Sequence, residues 1–294
     1  MSVVPIVSAA VCPHPPLLVP AVATGAAHEL DDLRTACLAA IDQLTVAHPD
    51  RLLIIGSGPH TGTRYAADTP GTFAQYGAPA VRVGSTPPPA QADPVAESRA
   101  RSGSVESDAP AGFESGVPAG FESGVPAGSE SGVPARSESG VPTGSAGQAL
   151  PLSLLIGTWL VEQSKAANLP RTAVTVAADE TPAVCAELGR ELAASNDRVA
   201  LLVMGDGSAR RSEHSPVHLH PRAELFDSTV AAALDLADCV TLAALDPDLA
   251  TDLHAAGRAP WQVLAGAAAS ANLQGALTYH AAPYGVGYLV ALWT

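Results

Sequence analysis

The sequence predicts an α/β fold: a single domain with a largely parallel central sheet flanked by helices, interrupted by a disordered low-complexity insertion. Three observations predict it. Short apolar runs at Val3–Val11, Arg51–Ile55 (RLLII) and Arg198–Met204 (RVALLVM) alternate with longer segments of helical spacing. Each of these runs ends in a polar loop rich in Gly or Pro: CPHPP, GSGPHTG and GDGSARR. Between the flanks, residues 95–148 lose their apolar runs.

Each element has a local reason. The first strand, Val3–Val11, stops at Pro13 and Pro15, which stiffen the chain. Over Ala26–Ala47, Leu30, Leu33, Cys37, Leu38, Ile41 and Leu44 fall on one stripe, which predicts a helix. Arg51–Ile55 is the second buried strand. Beyond the insertion, Leu152–Ala167 reads as a helix and Thr172–Ala177 as a strand. Pro182–Ala194 reads as a helix with Thr181 as its N-cap and Pro in its first turn. Arg198–Met204 is the third buried strand. Helices are then expected at Glu224–Ala237, Pro247–Ala255 and Trp261–Ala269, and Tyr284–Trp293 as the last strand.

Residues 1–94 and 149–294 therefore read as one interrupted domain. Inside the insertion an eight-residue unit occurs four times between Pro110 and Val141, first as PAGFESGV and last as PARSESGV. A period of eight is too short for a helical solenoid. Gly, Pro, Ser and Glu at this density bury too little surface to offset ordering entropy. The expectation is a disordered surface insertion. Replication slippage in a tolerant loop explains it more simply than a repeated peptide ligand.

Composition narrows the function. The chain has 294 residues, 47% of them hydrophobic, 4% aromatic and 15% charged. Packing must rely on small side chains. Against 29 acidic residues stand 15 Lys and Arg, for a net charge of −14. With no basic run, nucleic acid is not an expected partner, nor is an anionic membrane surface. The chain has no long apolar span and no basic start before an apolar run. Four dispersed cysteines (Cys12, Cys37, Cys185, Cys239) fit reduced thiols and a cytoplasmic location.

The three polar loops should lie beyond the carboxyl ends of strands, where α/β folds bind ligands. GSGPHTG and GDGSARR each miss the third glycine of a dinucleotide fingerprint, and no P-loop or nucleophile elbow is present. His14 and His60 each follow a buried strand. If those strands are neighbours, both imidazoles face one pocket, where they would suit Fe(II) or Zn(II). His214, His218 and His220, with Glu213, offer another cluster, although a solvated loop explains them better. Arg210 and Arg211 are candidates for a carboxylate or phosphate, or for pairing with Asp206 and Glu213. Asp206 is most simply a cap of backbone N–H groups in its turn.

The opening strand with CPHPP, the strand ending in GPH, the LLVMGDGSAR strand and the closing APYGVGYLVALW together resemble class III extradiol ring-cleavage dioxygenases. Within that superfamily the chain is most similar to the beta-subunit-like domain of protocatechuate 4,5-dioxygenase, in an alanine-rich actinobacterial branch. The resemblance spans the chain except its insertion. It implies Fe(II) held by two His and one Glu, with a further His as acid–base. Carried over, His14 and His60 match the two iron-ligand histidines. The acid–base position falls on Ala209, in the turn Gly205-Asp206-Gly207-Ser208-Ala209. The Glu position falls in His254–Trp261 (HAAGRAPW), which contains no acid.

The sequence thus predicts a dioxygenase-like protein that has lost catalysis and keeps or repurposes a small-molecule pocket. Asp206, Ser208, Arg210 and Arg211 would line it for a small anionic or aromatic ligand. His14 and His60 would be a remnant metal site. No cofactor is firmly implied, and Fe(II) enters only if a third ligand exists. One alternative is an active Fe(II) oxygenase whose missing ligand is His254 or the 214–220 loop. Another is a scaffold acting through the acidic repeats. A homo-oligomer is compatible with each.

Overall fold

The computed structural model describes residues 6–84 and 149–294, so the predicted insertion at 95–148 falls outside the described residues. The strands are β1 (Ile6–Cys12), β2 (Arg51–Gly58), β3 (Arg64–Ala66), β4 (Gly71–Phe73), β5 (Ala78–Val83), β6 (Arg171–Ala177), β7 (Val199–Met204), β8 (Gly275–Ala281) and β9 (Tyr288–Trp293). The helices are α1 (Pro20–Ala23), α2 (Asp31–Leu44), α3 (Leu152–Glu162), α4 (Pro182–Ala193), α5 (Ala223–Asp235), α6 (Cys239–Ala243), α7 (Pro247–Asp252) and α8 (Arg258–Ala268).

Seven strands form the central sheet in the order β3-β6-β2-β7-β1-β9-β8, and β4 pairs with β5 separately. The middle four, β6, β2, β7 and β1, are parallel. Antiparallel strands flank them, β3 on one side and β9 with β8 on the other. Strands from both sides of the insertion share this sheet, as the interrupted-domain reading requires.

β7 is buried along its whole length, which is why VALLVM carries no alternation. Val199, Leu201 and Val203 enter one core layer with α4, α5 and α8. Ala200, Leu202 and Met204 enter the other, with α2 and α3. The predicted reliance on small side chains is visible where α4 crosses α8. A Cβ on Gly189 would lie 2.2 Å from the Val263 carbonyl oxygen, and one on Gly266 2.4 Å from that of Ala186. Backbone-to-backbone contact of this kind excludes any larger residue at these two positions.

The predicted elements appear with shifted ends. The stripe over Ala26–Ala47 becomes α2 between two 3₁₀ turns. The helix expected to reach Ala167 ends at Glu162, and Ser164 then caps a 3₁₀ turn. Thr181 caps α4 as expected, its Oγ1 accepting from the Val184 N–H. The last strand begins at Tyr288 rather than Tyr284, because Pro283 and left-handed Gly285 form a turn first. α1, β3, β4, β5, α6 and β8 were not anticipated. All but β8 are six residues or shorter, and β8 is an edge strand with no fully buried residue, so its pattern is weak.

Candidate functional site

β1 and β7 are hydrogen-bonded neighbours whose carboxyl ends meet at Cys12 and Met204. The chain leaving β1 runs to α2 in one core layer, and the chain leaving β7 runs to α5 in the other. In open α/β sheets, ligands bind where outgoing connections part to opposite faces. His14 and Asp206 meet at that place.

His14 is buried, with 7% of its surface exposed. Its backbone N–H donates to Asp206 Oδ1 at 2.7 Å, so the N–H that Asp206 answers lies in the loop after β1 and not, as expected, in its own turn. Its ring Nδ1 lies 3.6 Å from the same oxygen and has no hydrogen-bond partner. Asp206 is therefore the group nearest to answer an Nδ1–H. That tautomer leaves the lone pair on Nε2, the atom with which a histidine takes up a proton or binds a metal. Tyr288 is buried in the same region. Burial pushes its phenol well above the usual range, and the Asp206 carboxylate adds to the effect. Burial likewise raises the Cys37 thiol, which contacts Cys12.

The rest of GDGSARR is anchored inward. Asp227 on α5 is fully buried and accepts from the Ser208 N–H and from Arg211 Nη1, both at 2.8 Å. Gly207 and Gly287 make room for it: a Cβ on Gly287 would meet Asp227 Oδ2 at 2.0 Å. Desolvation raises the Asp227 carboxyl, while Ser208 and Arg211 pull it down. Ser208 is buried and its hydroxyl donates to the Leu253 carbonyl. Arg210 donates to the carbonyls of His218 and Asp252. Neither arginine pairs with Asp206 or Glu213. Arg211 is neutralised by Asp227, while Arg210 is held by backbone carbonyls.

The other predicted residues lie apart from His14. β7 separates β2 from β1, so the strands preceding His14 and His60 are not neighbours. His60 is exposed, and its carbonyl accepts from Thr175 Oγ1. Ala209 donates its N–H to the Leu253 carbonyl. His214 and His218 are exposed, and His254 is exposed in a left-handed conformation. In HAAGRAPW, the Ala256 carbonyl accepts from Ser57 Oγ and the Gly257 N–H donates to the Asp206 carbonyl. Arg258, buried, donates to the carbonyls of Ala178 and Glu180 and to Gln262 Oε1.

A facial iron site needs three donors that converge. Among the described residues, no group of three or more His, Cys, Asp or Glu is arranged to hold a metal ion. The matched positions supply two such donors, His14 and His60, on strands that are not neighbours.

Sequence reasoning missed Asp227, Tyr288, Arg258 and the Thr61–Glu180 contact. Asp227 had a readable signal: an acid on the apolar stripe of α5, between Ala223, Phe226, Val230 and Leu234. The others had none, since their partners are remote in sequence.

No family model and no curated protein matches the chain. Among solved structures, the crystal structure of uncharacterized protein JW3007 from Escherichia coli K12 is similar. The TM-score is 0.50, with 97% of this chain and 99% of that one covered, at 13% identity. A likeness at that identity shows the fold alone: an α/β architecture with a largely parallel sheet. Among the described residues, no helix is long and apolar enough to cross a membrane.

Proposed function

We propose that this chain is a class III extradiol dioxygenase-like protein that has lost ring cleavage. In this reading it retains a small-molecule site in the β1–β7 crevice. The ligand is a small aromatic molecule, and His14 is the group that exchanges a proton with it.

The observation that carries the reading is the His14–Asp206 pair at the parting of two outgoing loops. Asp206 fixes the backbone of His14 and lies 3.6 Å from its Nδ1, so an Nδ1–H turned toward the carboxylate leaves Nε2 as the proton acceptor. Tyr288 supplies an aromatic neighbour that stays protonated at neutral pH. The loss of ring cleavage is supported by Ala209 at the acid–base position, by the missing acid in HAAGRAPW and by a matched donor set of two histidines. An aromatic ligand is favoured by the buried Tyr288 ring near Asp206, and Arg211 is already neutralised by Asp227.

The test is anaerobic reconstitution with Fe(II), followed by catechol and air. The expected result is well under one iron per chain and no ring-opened product. Catechol alone should raise the thermal midpoint of the wild type and fail to do so in His14→Ala. One tightly held iron per chain with ring opening would overturn the proposal. So would equal catechol stabilisation of both proteins.

A further inference from the structure

The outer face of α5 has no partner among the described residues. Its inward residues, among them Phe226, Val230 and Leu234, fill the core. Its outward residues include Leu225, Ser228, Thr229 and Ala232, flanked by the acids Glu224 and Asp235 and followed by Leu236 just past the helix. Leu225 is 70% exposed and Leu236 74%, and Val240 at the start of α6 is 80% exposed. Two adjoining troughs run between α5 and the α6–α7 segment. One, of about 310 Å³, lies toward the α5 N-terminus against Phe226, Leu245 and Leu249. The other, of about 420 Å³, lies toward its C-terminus against Ala232 and Leu236.

The order along this stripe is symmetric: a leucine at each end and small residues between. An antiparallel copy centred between Val230 and Ala231 sets Leu225 opposite the partner's Leu236, and Thr229 opposite the partner's Ala232. Each protruding leucine then meets the trough beside its counterpart, and the small residues let the helices approach closely. Charge is placed at both ends. Arg222, at the N-terminal end, lines the first trough together with Asp246. Asp238, at the C-terminal end, lines the second, its carboxylate also capping α6 through the Val240 and Thr241 N–H groups. An antiparallel copy brings each Arg222 toward the partner's Asp238, twice over, with the helix dipoles opposed.

We infer that the α5–α6 face is an isologous dimer interface, occupied by a second copy of this chain through antiparallel α5 pairing. One helix face with its rim stands at the low end of the roughly 1,200–2,000 Å² total of stable interfaces, so the dimer is weak, with Kd on the order of micromolar. The inference is independent of the crevice, which lies at the sheet edge and is unaffected by the test.

The experiment is sedimentation velocity of the full chain, from about 1 to about 500 μM, a range that brackets micromolar dissociation. Reversible dimerisation is expected. Ala232→Arg, a change at an exposed helical site, should abolish it with the thermal midpoint and circular dichroism unchanged. Arg222→Glu should weaken it at least tenfold. A monomer across the whole range would overturn the inference, as would a dimer that Ala232→Arg leaves intact. Saturable binding of octanoate to a monomer, lost in Arg222→Gln, would assign the trough to a small ligand instead.

Discussion

His14 and His60 both follow strands of the parallel set, and each stands among prolines or glycines. Their surroundings differ. His14 is buried against Asp206, which approaches from the neighbouring strand's loop. His60 is exposed, and at its end of the sheet the polar contacts serve the backbone. Thr175 donates to the His60 carbonyl, Thr61 pairs with Glu180, and Arg258 ties down the Ala178 and Glu180 carbonyls. The β1–β7 end keeps a side chain with an unanswered nitrogen, while the β2–β6 end stitches loops together. What separates them is which loop a neighbouring strand delivers.

The largest effect should come from Asp227→Ala, which removes the anchor of the GDGS turn and leaves Arg211 without its buried partner. Breaking a buried pair costs about 3–5 kcal/mol, read as a fall in the urea midpoint. Next, Gly287→Ala should cost about 1–3 kcal/mol by forcing a methyl into Asp227 Oδ2. In both variants the crevice should lose catechol stabilisation, because the turn that delivers Asp206 is displaced.

A smaller effect separates the two histidine regions directly. Asp206→Ala leaves the buried His14 N–H unanswered and should cost about 1–3 kcal/mol, whereas His60→Ala, at an exposed position, should stay within about 0.5 kcal/mol. Equal losses in paired urea titrations would erase the contrast.

The smallest effect is in pH dependence. Hydrogen bonds from Thr61 and from the Thr181 N–H hold the Glu180 carboxyl below its ordinary 4.5. Its contribution to stability is present above that value and is lost as pH falls through the lowered folded value. Glu180→Gln should therefore lower the thermal midpoint slightly at neutrality and flatten the acid limb below about pH 4.5, the two profiles converging in acid. An unchanged acid limb would mean that the clamp is not formed.

Much of the scaffold was legible because burial on both faces writes itself into sequence. VALLVM and LLII have no polar residue to place, and the stripe of α2 repeats at helical spacing. β8 was illegible because its residues are only half-buried on alternate sides. Of the candidate site, His14 and Asp206 were legible as residues, each in a polar loop after a strand. Their pairing was not, with 192 positions between them. The reading of Arg210 and Arg211 as ligand-facing missed that Asp227 and the carbonyls of His218 and Asp252 hold them.

The sequence by itself determined the α/β class, the positions of the buried strands and the absence of an acid in HAAGRAPW. These follow from local periodicity and residue identity, which need no partner. The tertiary structure alone decided that β7 enters between β1 and β2. That insertion parts the two histidines and gives His14 an acidic partner. Strand order is set by which faces pack best across the whole core, a sum over contacts between residues far apart in the chain, and no local pattern records it.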